Sequence, residues 1–131
     1  MNFVFITSLY PLLGLASFDP ALLRCTLQDE NLSSVISFSR TTAQGLSGEL
    51  DNYSLKGHGQ KQFLSGSVFF DLTFSETKIS GHTGDPRGEV SNFSLTRSGT
   101  NPTGTWKYEG IDREGDRDRA QFDCVYDDDR N

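Results

Sequence analysis

The chain contains two cysteines, Cys25 and Cys124, which bracket almost every segment that could fold. Each lies where every second residue is apolar: Leu23, Cys25 and Leu27 in one stretch, and Phe122, Cys124 and Tyr126 in the other. Because side chains alternate between the two faces of a strand, each cysteine is expected on the apolar face of a strand. The pair therefore predicts a disulfide between the first and the last strand. It also predicts an oxidising compartment and a sheet whose two ends meet.

The N-terminal segment favours export. Residues 1–16 contain an apolar run too short to span a bilayer, followed by the small residues Gly14 and Ala16 before Ser17. We expect residues 1–16 to be a signal peptide and residues 17–131 to form one domain that is secreted or periplasmic. No lysine or arginine precedes the run, so a buried N-terminal strand or helix is the alternative.

The charge balance narrows the choice of partner. The net charge is −6, with no basic stripe that would attract a phosphate backbone. We therefore expect no nucleic-acid partner, and a cationic protein partner fits the charge better.

No apolar run after the N-terminal segment is long enough for a membrane span. We also expect the protein to be a monomer.

Short alternating runs separated by turn residues predict an all-β fold of about eight strands. The longest run covers residues 64–75, with Phe70 and Phe74 expected on its apolar face and Phe69 on its polar face. Mostly short connections favour antiparallel neighbours in sequence order. A small closed barrel is the first expectation, and a β-sandwich is the alternative.

One motif carries a family resemblance. Gly104-Thr105-Trp106 resembles the Gly-x-Trp signature of lipocalins and of the related avidin-like barrels, in which the tryptophan plugs one end of the barrel. In those families the motif lies on the first strand, whereas here it lies near the second-last. We expect six aromatic side chains to face the barrel interior: Phe70, Phe74, Phe93, Trp106, Tyr108 and Phe122.

Two features could form a contact surface. Phe69, near Phe63, stands among Ser, Thr and Asp, and exposed aromatic residues commonly mark contact sites. The second feature is a charged run that contains Asp112, Glu114, Asp116 and Asp118. Acids at every second position could also approach a Ca²⁺ ion, but the interleaved arginines are expected to neutralise them. We therefore predict no metal site.

The sequence contains no recognisable catalytic arrangement. His58 and His82 both lie beside glycines, and no Gly-x-Ser-x-Gly elbow surrounds any serine. We predict no catalytic residue and no cofactor. Three N-glycosylation sequons begin at Asn31, Asn52 and Asn92, and their use is left open.

These patterns favour a secreted or periplasmic, non-catalytic binding domain that binds a cationic protein, with an enzyme inhibitor as one form. The first alternative is a lipocalin-like carrier of a small apolar ligand, which requires a cavity inside the barrel. The second alternative is an enzyme, which requires acids or histidines that converge in a cleft.

Overall fold

The computed structural model describes residues 18–41, 45–56, 60–84 and 90–127. These residues form an eight-stranded antiparallel barrel in which each strand pairs with the next in sequence. The strands are β1 (Leu23–Gln28), β2 (Leu32–Arg40), β3 (Leu46–Ser54), β4 (Gln62–Phe74), β5 (Lys78–Gly84), β6 (Val90–Arg97), β7 (Gly104–Ile111) and β8 (Arg117–Tyr126). The prediction of a barrel is confirmed, and the sandwich alternative is wrong.

Pairing of β1 with β8 closes the barrel, and Cys25 lies directly opposite Cys124 in this pair. The two sulfur atoms form the predicted disulfide, with the Cα atoms 4.0 Å apart. Disulfides persist mainly in oxidising compartments, so the bond fits a protein located outside the cytosol. Within the described ranges, no helix is long and apolar enough to cross a membrane. The predicted signal peptide, residues 1–16, lies outside the described residues.

A short N-terminal segment covers one end of the barrel. Pro20–Leu22 form a single 3₁₀ turn. The side chain of Asp19 caps its N-terminus by accepting the backbone N–H of Ala21. The ring of Phe18 stacks on Trp106 at 6.1 Å and on Tyr126 at 5.4 Å between centroids. Trp106 is fully buried there and donates its indole N–H to the Pro102 carbonyl at 2.7 Å. We call this the closed end of the barrel.

Aromatic rings fill the middle of the barrel. Phe69 stacks on Phe93 with ring centroids 4.2 Å apart, and it also contacts Phe38 at 6.2 Å. Tyr108 continues the stack toward the other end, with its ring 6.2 Å from Phe93 and 6.0 Å from Phe122. The interior is therefore occupied by side chains along the barrel axis.

The strand β4 differs most from the expectation. Phe69 is 1% exposed and faces the core, so the prediction that it lies on an exposed surface is wrong. A bulge at Asp71, a non-glycine residue with a φ of 52°, reverses which side of the strand faces inward. Between a second register shift near residue 64 and this bulge, the odd-numbered residues Ser65, Ser67 and Phe69 face the interior. After it, Leu72 packs against the core.

The bulge also corrects the two interior assignments made on β4. Phe70 precedes it and faces outward beside His82, at 5.6 Å between ring centroids, so its predicted interior position is wrong. Phe74 follows it and pairs with the buried Ile79, which puts Phe74 on the inner side of the sheet. Its side chain lies at the closed end, where it contacts Phe18 and stays 44% exposed, so it is not part of the buried interior.

Candidate binding site at the open end of the barrel

The end of the barrel opposite Phe18 contains a cavity of about 280 Å³. Six strands, β3 to β8, and the turn between β7 and β8 surround it. Its lining comprises Leu50, Ser67, Thr83, Ser91, Tyr108, Gly110, Ile111, Asp112, Asp116 and Asp118. We call this cavity the mouth. Hydroxyl groups from three strands and carboxylates from β8 and the adjoining turn supply the polar part of its lining, beside apolar side chains such as Leu50 and Ile111.

The register of β8 separates the charges of the predicted acidic run. Asp118 pairs with Gly110 and lines the mouth, on the same side of the strand as the buried Phe122. Its two neighbours in sequence, Arg117 and Arg119, lie on the outer side, because side chains alternate along a strand. Charges that are interleaved in the sequence are therefore separated in space.

Both arginines are engaged outside the barrel. Arg119 donates to the carboxylate of Glu109 at 2.8 Å, and Arg117 donates to the same oxygen at 3.3 Å. The hydrogen bond from Arg119, and after it that from Arg117, lowers the pKa of Glu109. Arg117 and Arg119 thus form their ion pairs with Glu109 and not with the acids of the mouth, contrary to the expectation that they neutralise those acids.

The turn between β7 and β8 is organised by Asp112. One oxygen of its carboxylate accepts the backbone N–H groups of Glu114 and Asp116, each at 2.9 Å. Gly115 has a φ of 88°, a conformation that glycine adopts without strain. This turn holds Asp116 at the rim of the mouth, while Glu114 is exposed and does not line the cavity.

Asp112, Glu114 and Asp116 each bring one carboxylate oxygen within 4.8 Å of the others. Oxygen atoms at this spacing could approach a cation such as Ca²⁺. Exposed acidic groups commonly lie this close without a metal, and one Asp112 oxygen already accepts two backbone N–H groups. We therefore assign no metal to this turn.

Tyr108 links the mouth to the aromatic interior. It is half-buried, and its ring extends the Phe93 stack into the wall of the cavity. Burial raises the pKa of the Tyr108 phenol, and the nearby charge of Asp118 raises it further. The hydroxyl therefore stays neutral at physiological pH. The mouth combines an aromatic wall with a negatively charged rim.

The structure brings together some of the predicted contact residues and separates others. Asp112, Asp116 and Asp118 meet at the mouth. Phe63 is 57% exposed at the start of β4 beside Tyr53, and it does not line the cavity. Phe69 lies in the core. Of the six residues predicted to face the interior, Phe93, Trp106 and Phe122 are buried in the core, and Tyr108 packs against it.

The polar residues that complete the mouth carry no distinguishing pattern in the sequence. Ser67, Thr83 and Ser91 come from three different strands, and each is an ordinary strand residue in the sequence. Their shared position depends on the strand register. The sequence gives no local signal for the inner side of β4 here, because positions 69 and 70 are both phenylalanine.

The histidines do not complete a catalytic arrangement among the described residues. Nδ1 of His82 lies 2.8 Å from Oδ1 of Asn92 on the outer face of the barrel. His58 lies outside the described residues.

Comparisons of the chain with protein families, with curated proteins and with solved structures each found no match. The function therefore has to be inferred from the chemistry of the mouth.

Proposed function

We propose that this protein is a secreted or periplasmic, non-catalytic binding domain whose mouth receives a basic side chain of a cationic protein partner. The observation that carries this proposal is the register of β8. It directs Asp118 into the mouth with Asp112 and Asp116, while Arg117 and Arg119 pair with Glu109 outside. The inhibition of a basic enzyme is one form that such binding can take.

The composition of the mouth suits a lysine or arginine side chain. The carboxylates supply negative charge, and the hydroxyls of Ser67, Thr83 and Ser91 can accept hydrogen bonds from N–H donors. The aromatic wall formed by Tyr108 can contact the apolar stem of the same side chain. The mouth therefore offers an aromatic contact for the apolar stem of a basic side chain and carboxylates and hydroxyls for its charged head.

The charge of the whole chain supports the same type of partner. A net charge of −6 attracts a cationic protein from a distance and raises the association rate at low salt. The disulfide fits the oxidising compartment in which such an encounter would occur. The aromatic rings that fill the barrel interior favour this proposal over a carrier of an apolar ligand.

The proposal is tested by a pair of charge-matched variants on one strand. Asp118 faces the mouth, whereas Asp123 is exposed on the outer side of β8, next to Cys124. Binding to immobilised cytochrome c, a basic protein, would be measured by interferometry at several salt concentrations. We expect Asp118→Asn to weaken binding about tenfold, which corresponds to about 1.4 kcal/mol, and Asp123→Asn to have a much smaller effect.

Equal losses in the two variants would mean that only the net charge matters, and the assignment to the mouth would then be wrong. Absence of binding to cytochrome c and to poly-L-lysine at low salt would reject a cationic partner. An acidic protein of similar size serves as the negative control in each measurement.

A further inference from the structure

Three outward-facing side chains lie side by side across neighbouring strands. Phe70 on β4 pairs with His82 on β5, and His82 pairs with Asn92 on β6. Asn92 is exposed and begins the sequon Asn92-Phe93-Ser94. This row lies on the outer face of the barrel and does not line the mouth.

The two side chains that define the sequon, those of Asn92 and Ser94, point away from the core. Residues 92 and 94 share the outer side of β6, while Phe93 between them is 4% exposed and packs in the interior. The Asn92 side-chain oxygen can only accept a hydrogen bond, so Nδ1 of His82 donates to it at 2.8 Å. This contact orients the carboxamide and leaves its nitrogen directed away from the His82 ring.

The other two sequons differ in their surroundings. Asn52 is half-buried, accepts a hydrogen bond from Ser34 and donates one to Ser65. A glycan on Asn52 would be attached to Nδ2, the atom that donates to Ser65, and would have to be placed among these half-buried contacts. Asn31 is exposed in the turn between β1 and β2, where its backbone N–H donates to the Asp29 carboxylate and its neighbours in sequence, Glu30 and Leu32, are not aromatic.

We propose that Asn92 is an N-glycosylation site and that the first sugar residues of its glycan lie over His82 and Phe70. In the modification, the side-chain nitrogen of Asn92 attacks the anomeric carbon of a lipid-pyrophosphate-linked oligosaccharide. A C–N bond forms, the nitrogen loses one proton, and the lipid pyrophosphate leaves. The disulfide fits passage through a compartment where this reaction takes place.

The row of rings provides a surface for the sugar. Neighbouring strands lie about 4.8 Å apart, so Phe70 is about 10 Å from Asn92, within reach of the first two sugar residues. The C–H groups on one face of N-acetylglucosamine pack against aromatic rings through dispersion. This contact would cover Phe70, an aromatic residue that faces outward from β4 and is incompletely buried.

The chain would be produced in a eukaryotic secreting cell behind a cleavable secretory leader, so that delivery does not depend on residues 1–16. Intact mass before and after peptide-N-glycosidase treatment reports glycosylation, and the conversion of asparagine to aspartate identifies the site. We expect a glycan on Asn92 that is lost in both Asn92→Gln and Ser94→Ala and is retained in Asn52→Gln. A secreted protein without a glycan at Asn92 would overturn the proposal.

A second measurement tests the position of the glycan. We expect enzymatic removal of the glycan to lower the Tm of the unmodified sequence by about 2–4 °C and that of Phe70→Ala by much less. Phe63→Ala is the control, because Phe63 lies near the other end of the same strand and is exposed. Equal shifts in Phe70→Ala and Phe63→Ala would show that the sugar does not lie over Phe70.

Discussion

Gly48 lies between Phe38 and Phe69 on the inner surface of the barrel. It is the direct strand partner of both residues, one on β2 and the other on β4. A Cβ atom at position 48 would lie 2.7 Å from Phe38 and 3.1 Å from Phe69. The missing side chain therefore allows the two rings to approach each other across β3, with centroids 6.2 Å apart.

This contact predicts that Gly48→Ala destabilises the barrel. The added methyl group overlaps two buried rings, and overpacking of this kind costs about 1–3 kcal/mol. Gly99→Ala is the control, since a Cβ there meets nothing within 4 Å. We expect that control to change the free energy of unfolding by less than about 1 kcal/mol. Urea unfolding measures both variants, and equal values for the two would contradict the packing argument.

Two adjacent residues of β4 provide a test of the strand orientation. Phe69 is 1% exposed in the aromatic stack, whereas Val68 is 56% exposed on the outer face. We expect Phe69→Ala to lower the free energy of unfolding by about 3–5 kcal/mol, because it leaves a cavity in the core. Val68→Ala should change it by less than about 0.5 kcal/mol. The reverse order would mean that the strand presents its other side to the core.

The orientation of β4 was not predictable from apolar alternation. Leu64, Val68 and Phe70 suggest a buried side, yet Leu64 is 51% exposed and Val68 and Phe70 face outward, while Ser65 and Ser67 face inward near the mouth. The inner surface is polar at this end of the barrel, so the hydrophobic pattern is inverted there. A shift of one residue reverses every side chain in a strand, and the pattern alone does not detect the shift.

Other features were accessible from local sequence. The positions of Cys25 and Cys124 predicted both the disulfide and the meeting of β1 with β8, and both are confirmed. The acids at 112–118 were recognised as a charged run. Their separation from the arginines was not, because it depends on which side of β8 each residue faces and on the pairing of Glu109 with Arg119.

The disulfide should contribute a large part of the stability. Its sequence separation is 99 residues, and the loop-entropy argument gives an upper contribution of about 4–5 kcal/mol for a loop of that length. We expect reduction, or the double variant Cys25→Ser with Cys124→Ser, to lower the free energy of unfolding by about 2–5 kcal/mol. Chemical unfolding with and without reductant measures the difference. The double variant is the control, because reductant should not change its unfolding curve.

Tyr108 predicts a loss of stability at alkaline pH. Burial, and to a lesser extent the charge of Asp118, raises the pKa of its phenol in the folded protein above the ordinary value of about 10. Below pH 10 the phenol is neutral in both the folded and the unfolded state. As the pH rises further, the unfolded state releases the proton first and is favoured, so stability falls until the pH exceeds the pKa of the folded state.

We therefore expect the free energy of unfolding to fall as the pH rises above the ordinary tyrosine pKa of about 10, and Tyr108→Phe to remove part of this dependence. Asp118→Asn should reduce the alkaline pH dependence of stability only slightly, because burial is the larger cause of the shift in the Tyr108 pKa. Asp123→Asn, on the outer face of β8, should leave it unchanged. Urea unfolding across this pH range, together with the tyrosinate absorbance of the folded protein, measures both effects. If Tyr108→Phe retains the full alkaline dependence, the phenol is not held neutral by its position between the aromatic stack and the acidic mouth.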